Sequence, residues 1–250
     1  MDLRAALELN LRALGEQPLE PVVVSVVDSG VDGTHPDLRG RIAEASRVED
    51  GPGGPVAHAQ PHEASNDVYG HGTAVAGIIA GVAPNARISD IRVLDERNQA
   101  TGHVLVEGFR RAVESDARVI NLSLACRARF APELHELCER AYRRNQIVVA
   151  AKRNMPLVDQ GFPAELSACI AVDRERYPSP FDLGYRPTPP IEFIGRGVDV
   201  TAPAPGGGFQ VVTGTSFATP AVSGLCALLL GIAPDLRPFE VKALLKGLAR

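Results

Sequence analysis

The first strongly apolar run is Val22-Val23-Val24-Ser25-Val26-Val27, almost wholly β-branched. It predicts a buried central strand. The turn signal Asp28-Ser29-Gly30 closes it. Upstream, Leu3, Ala6, Leu7, Leu11 and Leu14 fall near one helical face, with Asn10 interrupting the stripe. This predicts a helix over 2–15, stopped by Gly15 and Pro18. Downstream, apolar runs and helical periodicities alternate. Strands are expected over 88–94, 119–124, 147–151 and 168–172. Helices are expected over 71–80, 104–114, 132–144, 216–230 and 238–248, the third opened by a proline near its first turn. The 216–230 helix has no charged face, so it must be deeply buried. Residues 47–66, rich in Gly, Pro, His and Ser, read as a surface loop, and the Pro-rich 173–190 as irregular.

Strands alternating with helices imply an α/β fold: a three-layer αβα sandwich around a mostly parallel, twisted sheet. Residues 21–250 form one domain on this reading, with residues 1–20 a helical extension that could meet a protein partner.

Composition narrows the picture. The chain has 250 residues, 45% of them hydrophobic, with 5% aromatics and no Trp, so Val, Leu, Ile and Ala must make the core. Net charge is −4, without a basic stripe, which gives no support for nucleic-acid binding. No unbroken apolar stretch reaches the length of a membrane span, and the N-terminus lacks the pattern of a signal peptide. Cys126, Cys138, Cys169 and Cys226 show no CxxC spacing, so reduced thiols and a cytoplasmic location are expected.

Three segments carry the chemistry. Asp28 ends the first strand, at the edge where open α/β sheets place ligands. His71 opens a helix of small residues in Gly70-His71-Gly72-Thr73-Ala74-Val75-Ala76-Gly77, where glycines allow close backbone approach. Ser216 starts the apolar helix in Gly214-Thr215-Ser216-Phe217-Ala218-Thr219-Pro220, where free N–H groups favour developing negative charge. Each alone reads equally as a turn or cap residue. Together they supply a nucleophile, a base and an orienting carboxylate.

The segments VVDSGVDGTHPDL, GHGTAVAG, VINLSL and GTSFATPAVSG resemble those of the subtilisin-like serine peptidases, from about Val22 onward. The resemblance implies that Asp28 orients His71, that His71 is general base and then general acid, and that Ser216 is the nucleophile. It implies Asn154 as oxyanion-hole donor, although Lys152-Arg153 stands where relatives have a glycine before the Asn. It implies that a peptide or protein substrate binds as an added β-strand. One side would be Ser123, Leu124, Ala125 and Cys126, where Ala125-Cys126 replaces a Gly pair and narrows the first pocket. The other would be near Thr101, Gly102 and His103, with Gly161-Phe162-Pro163 as the pocket floor and Pro163 after a cis bond. Ala74 stands where many relatives have a second His. No cofactor and no metal are expected: 77–81 runs straight into Val82-Ala83-Pro84, without the calcium loop of secreted relatives. Few residues precede the first strand, so no prodomain is expected either. These departures point to a selective intracellular processing peptidase. A peptide ligase or macrocyclase, and a peptide-binding pseudoprotease, stay open as alternatives.

Overall fold

The computed structural model describes residues 18–155 and 159–250. The expected helix over 2–15 lies outside the described residues.

The strands are β1 (Val22–Asp28), β2 (Ile42–Gly51), β3 (Gly54–Gln60), β4 (Ala86–Arg92), β5 (Val119–Leu122), β6 (Ile147–Ala151), β7 (Cys169–Glu175), β8 (Gly184–Tyr185) and β9 (Phe193–Arg196), followed by a hairpin of β10 (Val200–Ala204) and β11 (Gly208–Val212). The helices are α1 (His71–Val82), α2 (Gly102–Glu114), α3 (Ala131–Arg143), α4 (Thr215–Ile232) and α5 (Pro238–Leu248). The main sheet runs β3-β2-β4-β1-β5-β6-β7-β9-β8. All pairings from β2 through β9 along this order are parallel, and only the edge strands β3 and β8 pair antiparallel.

Alternation along the strands divides the core in two. Val22, Val24 and Val26 join α1, α4 and α5 on one face. Val27, Ile91, Ile120 and Leu122 join α2 and α3 on the other. This is the three-layer α/β sandwich that the pattern predicts. α4 is long and apolar enough to span a membrane, at 18 residues and mean hydropathy 1.6. It is instead the central core helix, 83% buried. Small residues let it pack closely: a Cβ at Gly224 would stand 2.6 Å from the Val82 Cβ of α1.

Two readings change. Residues 47–66 are largely not a loop: Ile42–Gly51 and Gly54–Gln60 form an antiparallel edge hairpin. Its side chains are mostly half-buried or exposed, so it carries no apolar run to announce it. The 173–190 stretch contains the end of β7 and the short β8.

The chain builds β2, β3 and β4 on one side of β1 and then crosses to β5, β6 and β7 on the other. This reversal at β1 opens a crevice beyond the carboxyl ends of the strands. Asp28 ends β1, Ser123 follows β5, and Lys152 to Asn154 follow β6.

Candidate active site

Asp28 is fully buried at the end of β1, and its Oδ1 lies 2.7 Å from His71 Nδ1. The Ser29 backbone N–H donates to the same oxygen at 2.8 Å. A carboxylate on Nδ1 requires the proton there and leaves Nε2 to accept. The close approach depends on Gly72: a Cβ there would stand 2.1 Å from the Gly30 carbonyl oxygen and 3.2 Å from the Asp28 Cβ. His71 is nearly buried. Burial pushes its imidazolium down, but the charge and hydrogen bond of Asp28, with the charge of Asp67, outweigh it, so its pKa lies above the usual 6.5.

Asp67 locks this half. Its Oδ1 accepts from Ser29 Oγ (2.8 Å), Tyr69 N (3.0 Å) and Gly70 N (2.7 Å), and its Oδ2 from Thr73 N (2.9 Å) and Thr73 Oγ1 (2.6 Å). Ser29 Oγ in turn accepts from Gly72 N at 2.9 Å. The start of α1 has no acidic residue in its first turn, and Asp67 satisfies its free N–H groups from outside.

Ser216 stands in the first turn of α4. Pro220 lies within that helix and has no N–H for the Ser216 carbonyl four residues back. Ser123 Oγ donates to that carbonyl instead, at 2.7 Å. Asn121 Nδ2 donates to Ser123 Oγ at 3.0 Å, and Ser223 Oγ donates to Asn121 Oδ1 at 2.8 Å. Ser123 therefore braces the Ser216 turn. His71, Asn154 and Ser216 line one cavity of about 340 Å³, with Phe217 tilted against the His71 ring at 4.9 Å. The gap from His71 to Ser216 is not closed by a hydrogen bond; in substrate-free sites this contact is commonly long.

Asn154 Oδ1 accepts from Thr215 N at 3.0 Å and from Arg174 Nη1, while the Thr215 hydroxyl, 3.2 Å from the same oxygen, donates to the Lys152 carbonyl at 2.6 Å. These donors fix the amide orientation and leave Nδ2 free as the donor toward the cleft. Lys152, at the unusual approach, pairs with Asp173 at 2.8 Å. Arg153 donates from Nη2 to the Cys126 carbonyl at 3.1 Å and to Asp159 at 3.0 Å.

Leu124 and Ala125 line a second cavity that shares Asn154 and Ser216. Cys126 is buried and pairs with Phe162: Cys126 N donates to the Phe162 carbonyl at 2.8 Å. Burial raises its thiol pKa, the behaviour of a packed small residue. Gly161 holds φ +96°, open mainly to glycine, and the Phe162–Pro163 bond is cis. Gly102 and His103 line neither cavity that contains Ser216. They start α2 and pack on Phe130, with the rings of His103 and Phe130 at 5.1 Å. Asn98 takes the place expected for them on the cleft wall.

Sequence reading passed over Asp67, Ser29, Asn98 and Asp90. Asp67 carried a signal, an acid shortly before a helix start. Asp90 carried another, a carboxyl inside the strand Ile88-Ser89-Asp90-Ile91. Among the described residues no group of three or more His, Cys, Asp or Glu is placed to hold a metal ion.

The Subtilase family profile matches residues 20–249. The chain belongs to the subtilase family of serine proteinases. It is 33% identical over 220 residues to a thermophilic serine proteinase of Bacillus sp. (strain AK1), covering 82% of this chain and 51% of that protein. It is 32% identical to an intracellular serine protease of Paenibacillus polymyxa, covering 85% and 67%. Against the major intracellular serine protease of Bacillus subtilis (strain 168) it is 30% identical, covering 83% and 68%. The chain thus spans about half the length of the first relative. Sphericase superposes with a TM-score of 0.76 at 24% identity, covering 90% of this chain and 82% of that structure, a likeness of fold alone.

Proposed function

We propose that this chain is a serine endopeptidase working through an acyl-enzyme. The observation that carries the reading is the buried 2.7 Å pair of Asp28 and His71, opening onto a cavity shared with Ser216 and Asn154. On this reading His71 Nε2 takes the Ser216 hydroxyl proton as the oxygen attacks the peptide carbonyl. Asp28 holds the imidazolium that forms. Asn154 Nδ2 and the backbone N–H at Ser216 receive the oxyanion. His71 then gives its proton to the leaving amine, and water resolves the acyl-enzyme.

The substrate lies as an added strand along Leu124 and Ala125, facing Asn98. The side chain before the cut bond is small. A Cβ at Gly161 would meet the Ala125 Cβ at 2.9 Å and the Arg153 Cβ at 3.4 Å. Those two carbons are therefore no more than about 6.3 Å apart, whereas a carbon seated in line between them needs about 3.5–4.0 Å from each. Two relatives named as intracellular serine proteases support action inside the cell, and the narrow first pocket favours a selective processing role over general degradation. A fluorophosphonate probe tests the core reading. It should label the wild type and not Ser216→Ala; an unlabelled wild type at neutral pH would overturn it.

A further inference from the structure

We infer that Arg174 is a positioning residue for the oxyanion hole, polarising the Asn154 amide so that it becomes a stronger donor. The inference rests on the peptidase reading above.

The approach to Asn154 is unusually cationic. Lys152, Arg153 and Arg174 all surround it. Two of these charges are already engaged. Lys152 pairs with Asp173, which also pairs with Arg186, and Arg153 pairs with Asp159. Burial pushes the Asp173 carboxyl up, but the Lys152 hydrogen bond and charge, the Arg174 backbone N–H and Arg186 bring it below its usual value, so it stays an anion opposite those cations. Arg174 differs. Among the described residues its guanidinium has no carboxylate partner, and its one side-chain hydrogen bond goes to Asn154 Oδ1.

Its stem is seated. A Cβ at Gly197 would stand 2.7 Å from the Arg174 Cβ, so the missing side chain at Gly197 leaves room for it. The Gly197 carbonyl accepts from Gly214 N at 2.8 Å, in the turn that leads into Ser216. β7 therefore delivers Arg174 to the rear of the same turn that holds the nucleophile.

The chemistry follows from amide resonance. A cation on the carbonyl oxygen draws electron density from nitrogen and makes Nδ2–H a better donor. Thr215 alone could orient the amide; Arg174 adds charge. The benefit appears as charge develops in the transition state, so it belongs in kcat.

A double-mutant cycle with Asn154 tests this, with melting temperature recorded for every variant. Arg174→Ala should lower kcat about tenfold with KM nearly unchanged, on the scale of a charge-assisted donor. In an Asn154→Ala background the same change should cost less than about twofold, because the charge acts through the amide. Arg174→Lys should restore most of the loss. Binding of a peptide aldehyde, whose adduct carries an oxyanion, should weaken in step with kcat. An equal loss in both backgrounds, or an unchanged kcat in Arg174→Ala, overturns the inference while leaving the peptidase reading intact. A wild type that neither cleaves peptides nor labels with fluorophosphonate overturns both.

Discussion

On the Asp28 side of the cleft acids stand without a lysine or arginine partner among the described residues and accept from backbone N–H groups, whereas on the Asn154 side arginine and lysine side chains near the surface pair with Asp173 and Asp159. Asp28 and Asp90 are buried in the sheet, and five hydrogen bonds converge on Asp67. Opposite them, Lys152, Arg153 and Arg174 are only half-buried and Asn154 is exposed. The first half holds an imidazole in one tautomer and tolerates little movement. On the proposed reading the second receives substrate and a transient negative charge, and it is the more open half, with cationic side chains around Asn154. The more closed packing thus sits on one side and the more open packing on the other.

The sharpest way to break the first half is to remove its reacting groups. Ser216→Ala or His71→Ala should reduce kcat by about 10⁶-fold, and Asp28→Asn by about 10⁴-fold through loss of the tautomer. The 10⁶ scale is that of subtilisin itself. Stopped or discontinuous peptide assays on purified variants read it. A loss below tenfold in any of them would show that the three residues do not act as a unit.

Breaking the second half should cost less. Asn154→Ala should lower kcat about 10²- to 10³-fold, again a scale known from subtilisin, with KM little changed. An increase in KM alone would mean that Asn154 binds substrate without favouring the transition state. The same half sets the first pocket. Replacing both walls, Ala125→Gly with Arg153→Gly, should raise kcat/KM for Phe relative to Ala before the cut bond by about 10- to 200-fold. A wild type that already prefers Phe would contradict the narrow pocket.

How much of this was legible in the sequence differs between the halves for the same reason. β1, α1, β5, β6 and α4 announce themselves because they are buried runs, and the proposed triad residues Asp28, His71 and Ser216 sit at the ends of β1, α1 and α4. The β2–β3 hairpin does not, because an edge hairpin with half-exposed side chains has no apolar face to show. The Asp28 half could be read almost entirely, except for Asp67, whose five hydrogen bonds come from Ser29 before it and from Tyr69, Gly70 and Thr73 after it in the chain. The Asn154 half was harder. Arg174 lies 20 residues from Asn154, and Lys152-Arg153 looks anomalous until the carboxylates that meet it are located in space. Gly102 and His103 start α2 and pack on Phe130, whereas Asn98, four residues before Gly102, lines the cavity with Ser216.

Asp67 gives a subtler test of the locked half. Asp67→Asn keeps one acceptor oxygen but leaves Thr73 N or the Ser29 and Gly70 donors without partners. The change should cost about 1–3 kcal/mol of stability for the orphaned groups, read as a lower melting temperature. It also removes a negative charge that raises His71. Activity needs neutral His71, so the acid limb of kcat/KM should move to lower pH. An acid limb unchanged in Asp67→Asn would show that Asp28 alone sets the His71 pKa.

The deepest-lying effect, one on stability and not on turnover, is at Asp90. Burial pushes its carboxyl up to about 8, opposed by the Val31 N–H at 3.1 Å and by Arg92, and reinforced by the charges of Asp67 and Asp28. The native chain therefore keeps a proton that the unfolded chain releases near the ordinary value of 3.8. Between those two values the native state binds more protons, so stability falls as pH rises and the loss levels off above about 8. Asp90→Asn keeps an acceptor for Val31 N and cannot ionise. Its melting temperature should gain on the wild type between pH 5 and 8, with the gap constant above that. A gap between wild type and Asp90→Asn that does not vary with pH would place the proton elsewhere than on Asp90.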